Sequence, residues 1–158
     1  MNKTLKAHIT LLSSTSKTVC PVQISYDDSE DSADSDVKIR LTYNNTQYQG
    51  TGNDYLWEDA FADLQNKLPD NIKLACCMTC RHGNMCPYGN AEKLLFCTKG
   101  LKFSDKGDLC DLFDQTDLLE KRSVASIGFC DDFVYHSDDF YTYNDYLYRL
   151  QKMKGQTD

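Results

Sequence analysis

Residues 75–90 read ACCMTCRHGNMCPYGN and gather four cysteines, a histidine and two glycines. Thiolate sulfur is a soft donor, and a Cys-x-x-Cys turn lets two sulfurs reach one zinc or iron ion. Cys77-Met-Thr-Cys80 has that spacing, and Gly83 supplies the small residue that a sharp loop needs. If a strand runs into the loop, Cys76 and Cys77 point to opposite faces, so at most one of them belongs to a shared site. Cys77 has the right offset from Cys80. For the second pair, Cys97 ends an apolar stretch and Cys110 lies in an expected loop before Leu112 and Phe113. The expected ligands are therefore Cys77, Cys80, Cys97 and Cys110, with zinc as the metal. Cys86 (held by Pro87), Cys76 and His82 are the reserves. A second Cys-x-x-Cys, which would make the signature strong, is absent. Cys20 and Cys130 read as packing residues, since free cysteine behaves as a small hydrophobe. Unligated packed thiols and disulfides remain the other readings of the central group.

The segment CCMTCRHGNMCPYG resembles a stretch in an uncharacterised bacterial family, in which a cysteine pair and Cys-x-x-Cys precede Pro-Tyr-Gly. That family carries serine at the position matching Cys86, which implies that Cys86 is dispensable. The resemblance covers a minor part of the chain and implies no activity. The order Cys77-x-x-Cys80, sixteen residues, Cys97, twelve residues, Cys110 and then Phe113 is also similar in spacing to high-potential iron–sulfur proteins. That resemblance implies a [4Fe–4S] cluster with an electron-transfer or redox-sensing role.

Other chemistries find less support. A reactive dithiol sits at a helix N-terminus, where the helix field favours the thiolate, but RHGNMCPYGN after Cys80 is rich in helix breakers. The three histidines are His8 on a strand, His82 in the cysteine loop and His136 in an acidic stretch. Cys80 and His82 offer a nucleophile and a base for a thiol-dependent enzyme. Neighbours in one loop seldom reach the geometry that proton transfer needs, and no third group orients the base. No phosphate loop, dinucleotide fingerprint or Gly-x-Ser-x-Gly elbow occurs.

The 158 residues carry 24 acidic and 17 basic side chains, a formal charge of −7. Without a Lys/Arg stripe, binding to a nucleic-acid backbone is not expected. An acidic field keeps a chain soluble, the simpler reading, and can also draw a basic protein. The stretch FVYHSDDFYTYNDYLYRL sets tyrosines among aspartates, residues suited to protein contact. No run of about 18 apolar residues suggests a membrane span, and MNKTLKAHITLLSSTSK lacks the apolar core of a secretory signal. The expected compartment is the cytoplasm, where clustered cysteines stay reduced and bind metal.

The elements that would position the site follow from periodicity. Leu5, Ala7, Ile9 and Leu11 alternate as a half-buried strand does. A partner is expected over 19–26, with Pro21 at an edge or bulge. Residues 27–36, DDSEDSADSD, form an acidic loop without the glycine and terminal glutamate of a calcium loop. Val37, Ile39, Leu41 and Tyr43 alternate again before an Asn44-Asn45 turn. Leu56, Ala60, Leu64 and Leu68 then share one helical face, stopped by Pro69. Strands are expected over 72–76, 94–98 and 123–129, a turn at Lys99-Gly100, and a last helix from Ser137 bearing Phe140, Tyr143, Leu147 and Leu150.

This pattern is α+β: a mostly antiparallel sheet, two main helices and a Cys-rich segment, 76–110, in a single domain. The expected function is that of a non-catalytic cytoplasmic protein-binding module with a structural four-cysteine metal site, of the inhibitor or immunity type, directed at a basic partner.

Overall fold

A computed structural model describes residues 2–27, 35–53, 57–88 and 94–156. In chain order the strands are β1 (Asn2–Leu12), β2 (Lys17–Asp27), β3 (Asp36–Tyr43), β4 (Thr46–Asn53), β5 (Lys73–Ala75), β6 (Gly83–Asn84), β7 (Leu95–Cys97) and β8 (Ser123–Val124). The helices are α1 (Trp57–Lys67), α2 (Lys106–Phe113), α3 (Thr116–Arg122) and α4 (Tyr146–Gln156), and Cys77–Thr79 forms a 3-10 turn. Every strand pairing is antiparallel, so the fold is α+β and mostly antiparallel sheet. The chain divides into two compact units, residues 1–75 with 145–158, and residues 76–144. The Cys-rich segment 76–110 falls whole within the second. Most of the acidic loop 27–36 lies outside the described residues.

The first unit is a five-stranded sheet in the order β4-β3-β2-β1-β5. Alternation sets its register: Ile9 lies opposite Cys20, and Ile24 opposite Ile39, all four buried on one face. The β3–β4 hairpin turns at Asn44 and Asn45, whose φ angles of 49° and 63° suit the right-handed twist of the flanking strands. β2 lies inside the sheet, and Pro21 is tolerated because the ladder to β3 begins only at Val22↔Leu41. The residue without an N–H therefore sits where β2 has a paired neighbour on one side only.

Helix α1 covers the apolar face through Ala60, Phe61 and Leu64, and it packs against both β4 and α4. Gly50 and Gly52 allow the close approach. A Cβ on Gly50 would lie 2.2 Å from the Ala60 carbonyl oxygen, and one on Gly52 2.6 Å from the Ala60 nitrogen. The buried Gln65 side chain ties the helix to the next strand, donating to the Ile72 carbonyl (2.8 Å) and accepting from the Leu74 N–H (2.8 Å).

Three expectations are corrected. The last helix starts at Tyr146, not Ser137, so Phe140 and Tyr143 precede it. Only Ser123–Val124 of the 123–129 stretch is strand. Cys110 lies on a helix, α2, whose N-cap Asp105 accepts from the Asp108 N–H at 2.8 Å. A helix there is reasonable, because an aspartate three residues ahead of another acid satisfies the open N–H groups of a first turn.

Two outcomes follow from the first unit. Gly50→Ala should cost roughly 2–3 kcal/mol in urea unfolding, since the new methyl meets backbone rather than a side chain that can move. Glu58 is buried, its Oε2 has no hydrogen-bond partner among the described residues, and burial raises its pKa, helped by Asp145 and Asp59. A raised carboxyl pKa favours the fold most below the unfolded value of about 4.3, and that advantage is lost as pH rises through the folded value. Glu58→Gln should therefore stabilise the protein at pH 7 and flatten this part of the pH dependence, as read by denaturant midpoints at several pH values. A midpoint difference independent of pH would contradict it.

Candidate metal centre

The second unit is built around the cysteine loop. Thr79 shapes the 3-10 turn: its N–H donates to the Cys76 carbonyl (3.0 Å), while its hydroxyl oxygen accepts from the Cys76 N–H (3.2 Å). The Cys80 N–H then reaches the Cys77 carbonyl (3.3 Å), and the Gly83 N–H reaches the Cys80 carbonyl (3.0 Å). These bonds fold Cys77 and Cys80 into consecutive bends. Glycine is required at 83, where a Cβ would lie 2.0 Å from the Cys77 carbonyl oxygen.

Three further segments close on this turn. Gly83 pairs with Cys97 in the β6–β7 ladder, which places the end of β7 beside the turn. After Cys97 the chain reverses at Gly100 (φ 81°), and Arg122 caps the reversal by donating to the Cys97 and Lys99 carbonyls at 3.1 and 2.8 Å. On the other side, the Cys77 and Met78 N–H groups donate to the Gly128 and Ser126 carbonyls at 2.8 and 3.0 Å. Cys130 follows two residues after Gly128, and its carbonyl accepts from the Phe133 N–H at 3.0 Å.

The final stretch acts as a strap. Cys80 bridges Tyr135 in antiparallel fashion, the Arg81 N–H donates to the Val134 carbonyl (2.9 Å), and the His136 N–H donates to the Thr79 carbonyl (3.0 Å). The buried Asn144 amide donates to the Gly83 carbonyl (2.6 Å) and the Met78 carbonyl (3.2 Å). Asn84 in turn accepts from the Tyr143 N–H (2.6 Å) and donates to the Thr98 hydroxyl (2.8 Å).

Cys77, Cys80, Cys97 and Cys130 line one cavity of about 30 Å³, roughly the share of one water molecule. His82, Lys99 and Asp132 stand in its wall, and Lys99 is ion-paired with Asp132. Burial first, then the neighbouring Cys76, Cys80, Cys97 and Cys130, pushes the Cys77 thiol up to about 12. A thiol among other thiols and short of water holds its proton unless a cation replaces it. His82 is half-buried against Phe140 (ring centroids 5.9 Å), and burial lowers its pKa, with Arg81 and Lys99 adding to the effect. Among the described residues, no group of three or more His, Cys, Asp or Glu side chains is placed so that it could hold a metal ion as it stands.

The structure thus brings together three of the four expected ligands, Cys77, Cys80 and Cys97, and adds Cys130. Cys110 does not line the cavity. It is half-buried on α2, and its carbonyl accepts from the Tyr88 hydroxyl at 3.2 Å. Cys86 is packed with Phe96, Leu109 and Phe113 in an apolar cluster. Cys76 is fully buried, its thiol 3.8 Å from the Thr79 hydroxyl, and burial raises its pKa to about 11. Cys20 is buried, as a packing residue should be, whereas Cys130 is exposed and so does not pack as expected. No spacing in the sequence singles out Cys130: Gly128 lies just before it, but Gly107 lies just before Cys110 as well.

No helix among the described residues is long and apolar enough to cross a membrane. In comparison with known proteins, the chain matches no family model and no curated protein.

Proposed function

We propose that Cys77, Cys80, Cys97 and Cys130 hold one zinc ion, and that the clamp presents a non-catalytic surface to a basic protein partner. The observation that carries this reading is the convergence of four thiols, from three separate segments, on one small void. Tetrahedral zinc takes four sulfurs at about 2.3 Å, and rotation of the thiols about their χ1 bonds is the movement that would close the void around the ion. Lys99 stands in the wall beside the thiols but is already paired with Asp132, so the two together add no net charge to the site. A [4Fe–4S] cubane on the same cysteines is the competing reading, and it would require the loops to part around a far larger group. The burial of Cys80 argues against its service as a nucleophile.

The partner surface begins where the clamp ends. Asp131 and Asp132 follow Cys130 directly, and Asp138 and Asp139 are exposed further along the strap. Phe129, just before Cys130, forms a ring series with Phe133 and Tyr135 at centroid separations of 5.7 and 6.1 Å, flanked by exposed Val134. Aromatic anchors rimmed by carboxylates suit a cationic protein surface, attracted first by charge and then held by apolar contact. This is the arrangement an inhibitor or immunity-type protein directed at a basic target would use.

Elemental analysis of anaerobically purified, untagged protein should give one zinc per chain and no visible colour. Cys130→Ser and Cys77→Ser should lower the zinc content, while Cys110→Ser leaves it at one. Retention of zinc by Cys130→Ser with loss in Cys110→Ser would overturn the assignment, and iron with matching sulfide would replace it by the cluster. Because bound thiolates must first lose their protons, apparent zinc affinity should rise with pH. Each displaced proton contributes about a tenfold change per pH unit below the thiol pKa, and calorimetry in buffers of different ionisation enthalpy reads the number. A screen against purified proteins should return basic partners whose binding weakens with salt and with Asp131→Asn/Asp132→Asn. Recovery of neutral or acidic partners alone would remove the partner reading.

A further inference from the structure

The open face of the five-stranded sheet has a charge pattern opposite to that of the chain. Its residues alternate with the buried ones, so Lys6 and His8 of β1, Gln23 of β2, Lys38, Arg40 and Thr42 of β3, and Gln47 and Gln49 of β4 share it. The register places Lys6, Gln23, Arg40 and Gln49 in one row across four strands. Strand spacing sets the Cα atoms of Lys6 and Arg40 about 10 Å apart, so two long side chains can converge over Gln23. Carboxylates on this face, Asp27 and Asp36, sit at the far ends of β2 and β3, about 13 Å along the strands from the row.

In a protein of net charge −7, four cations are ion-paired among the described residues: Lys67 with Asp63, Arg81 with Asp139, Lys99 with Asp132 and Arg149 with Asp59. The row is different. Arg40 Nε donates to Gln49 Oε1 at 2.8 Å, which steadies the guanidinium while using a single donor. Among the described residues, neither the Arg40 Nη groups nor the Lys6 ammonium has a hydrogen-bond or ion-pair partner. Between them lies a concavity of about 340 Å³, whose wall Lys6, Arg40 and Gln23 share with His8, Thr42 and Gln47. That volume falls in the range of about 300–1,000 Å³ typical of small-molecule sites.

We infer that this concavity binds a phosphate-bearing small molecule. The two free Nη groups of Arg40 match a pair of phosphate oxygens, and Lys6 supplies a second charge from the opposite strand. Gln23 and the Thr42 hydroxyl add neutral donors at the floor and side. The body of the ligand then lies along His8, Pro21 and Gln47. A nucleic-acid strand is the poorer fit, because a single pocket on a strongly acidic chain lacks the extended run of cations that a backbone requires. The site lies entirely within the first unit and is independent of the thiol reading.

The test is an amide chemical-shift titration of the full chain with inorganic phosphate and, separately, tripolyphosphate, with chloride holding ionic strength constant. Saturable shifts centred on residues 6–8, 21–23 and 40–42 are expected with at least one of the two. Lys6→Ala/Arg40→Ala should weaken binding by about 10- to 100-fold, while Lys102→Ala, on the second unit, leaves it unchanged. Both side chains are exposed, so the double variant should keep the parent spectrum elsewhere. Shifts that stay linear through the millimolar range with both probes, that centre on other residues, or that persist equally in the double variant would overturn the inference.

Discussion

Buried polar side chains hold residues 76–144 together more than any apolar core does, and four cysteines from the segments gathered there line one small void. The strands there run for only two or three residues, too few to hold a sheet by pairing alone. The apolar cluster of Cys86, Phe96, Leu109 and Phe113 is correspondingly small. What remains is a set of polar ties. Thr79, Asn84, Thr98 and Asn144 are all buried, and each directs its side chain to backbone or to another buried side chain that would otherwise lie unsatisfied. Such networks are costly when incomplete, since a buried donor left unmade loses its water without a replacement. A metal on the four thiols would join the 3-10 turn and the end of β7, which these side chains bring near, to the loop at Cys130, which backbone bonds from Cys77 and Met78 hold. Clamp and network would therefore reinforce one another.

The first unit rests on a different principle. Its sheet has strands of up to eleven residues and an apolar face on which α1 packs, with α4 against α1. Burial there does not depend on cysteine chemistry, and its one buried cysteine on the sheet, Cys20, sits with its thiol pKa raised by burial, as an inert packing residue. The contrast matters for function. On the readings proposed above, the polar face of the sheet would take a ligand, while the loops of the cysteine unit would present carboxylates and aromatic rings.

Much of the first unit is legible in the sequence, because a sheet with one buried face writes its period into the chain. Leu5 to Leu11 and Val37 to Tyr43 alternate, Asn44-Asn45 suits a tight turn, and Ala60 and Leu64 mark the helix. The second unit is far less legible. The aromatic spacing from Phe140 to Leu150 fits a helix, yet Asn84 takes the Tyr143 N–H, and Asn144 commits its amide to the Met78 and Gly83 carbonyls. Those long-range bonds keep 140–144 out of the helix, and no local propensity encodes them. Cys130 is hidden for the same reason. Spacing reveals ligands that share a turn, as Cys77 and Cys80 do, but not one that arrives by chain closure from a distant loop. Cys110 fits an iron–sulfur spacing, whereas the helix beginning at Asp105 takes it away from the cavity.

X-ray absorption at the zinc edge of the purified, untagged protein tests the central claim most directly. Four sulfur scatterers at about 2.3 Å, lost in part when Cys130 is replaced by serine, are the predicted result. A first shell dominated by nitrogen or oxygen, or four sulfurs that survive Cys130→Ser unchanged, would contradict the account of Cys77, Cys80, Cys97 and Cys130 as one zinc centre.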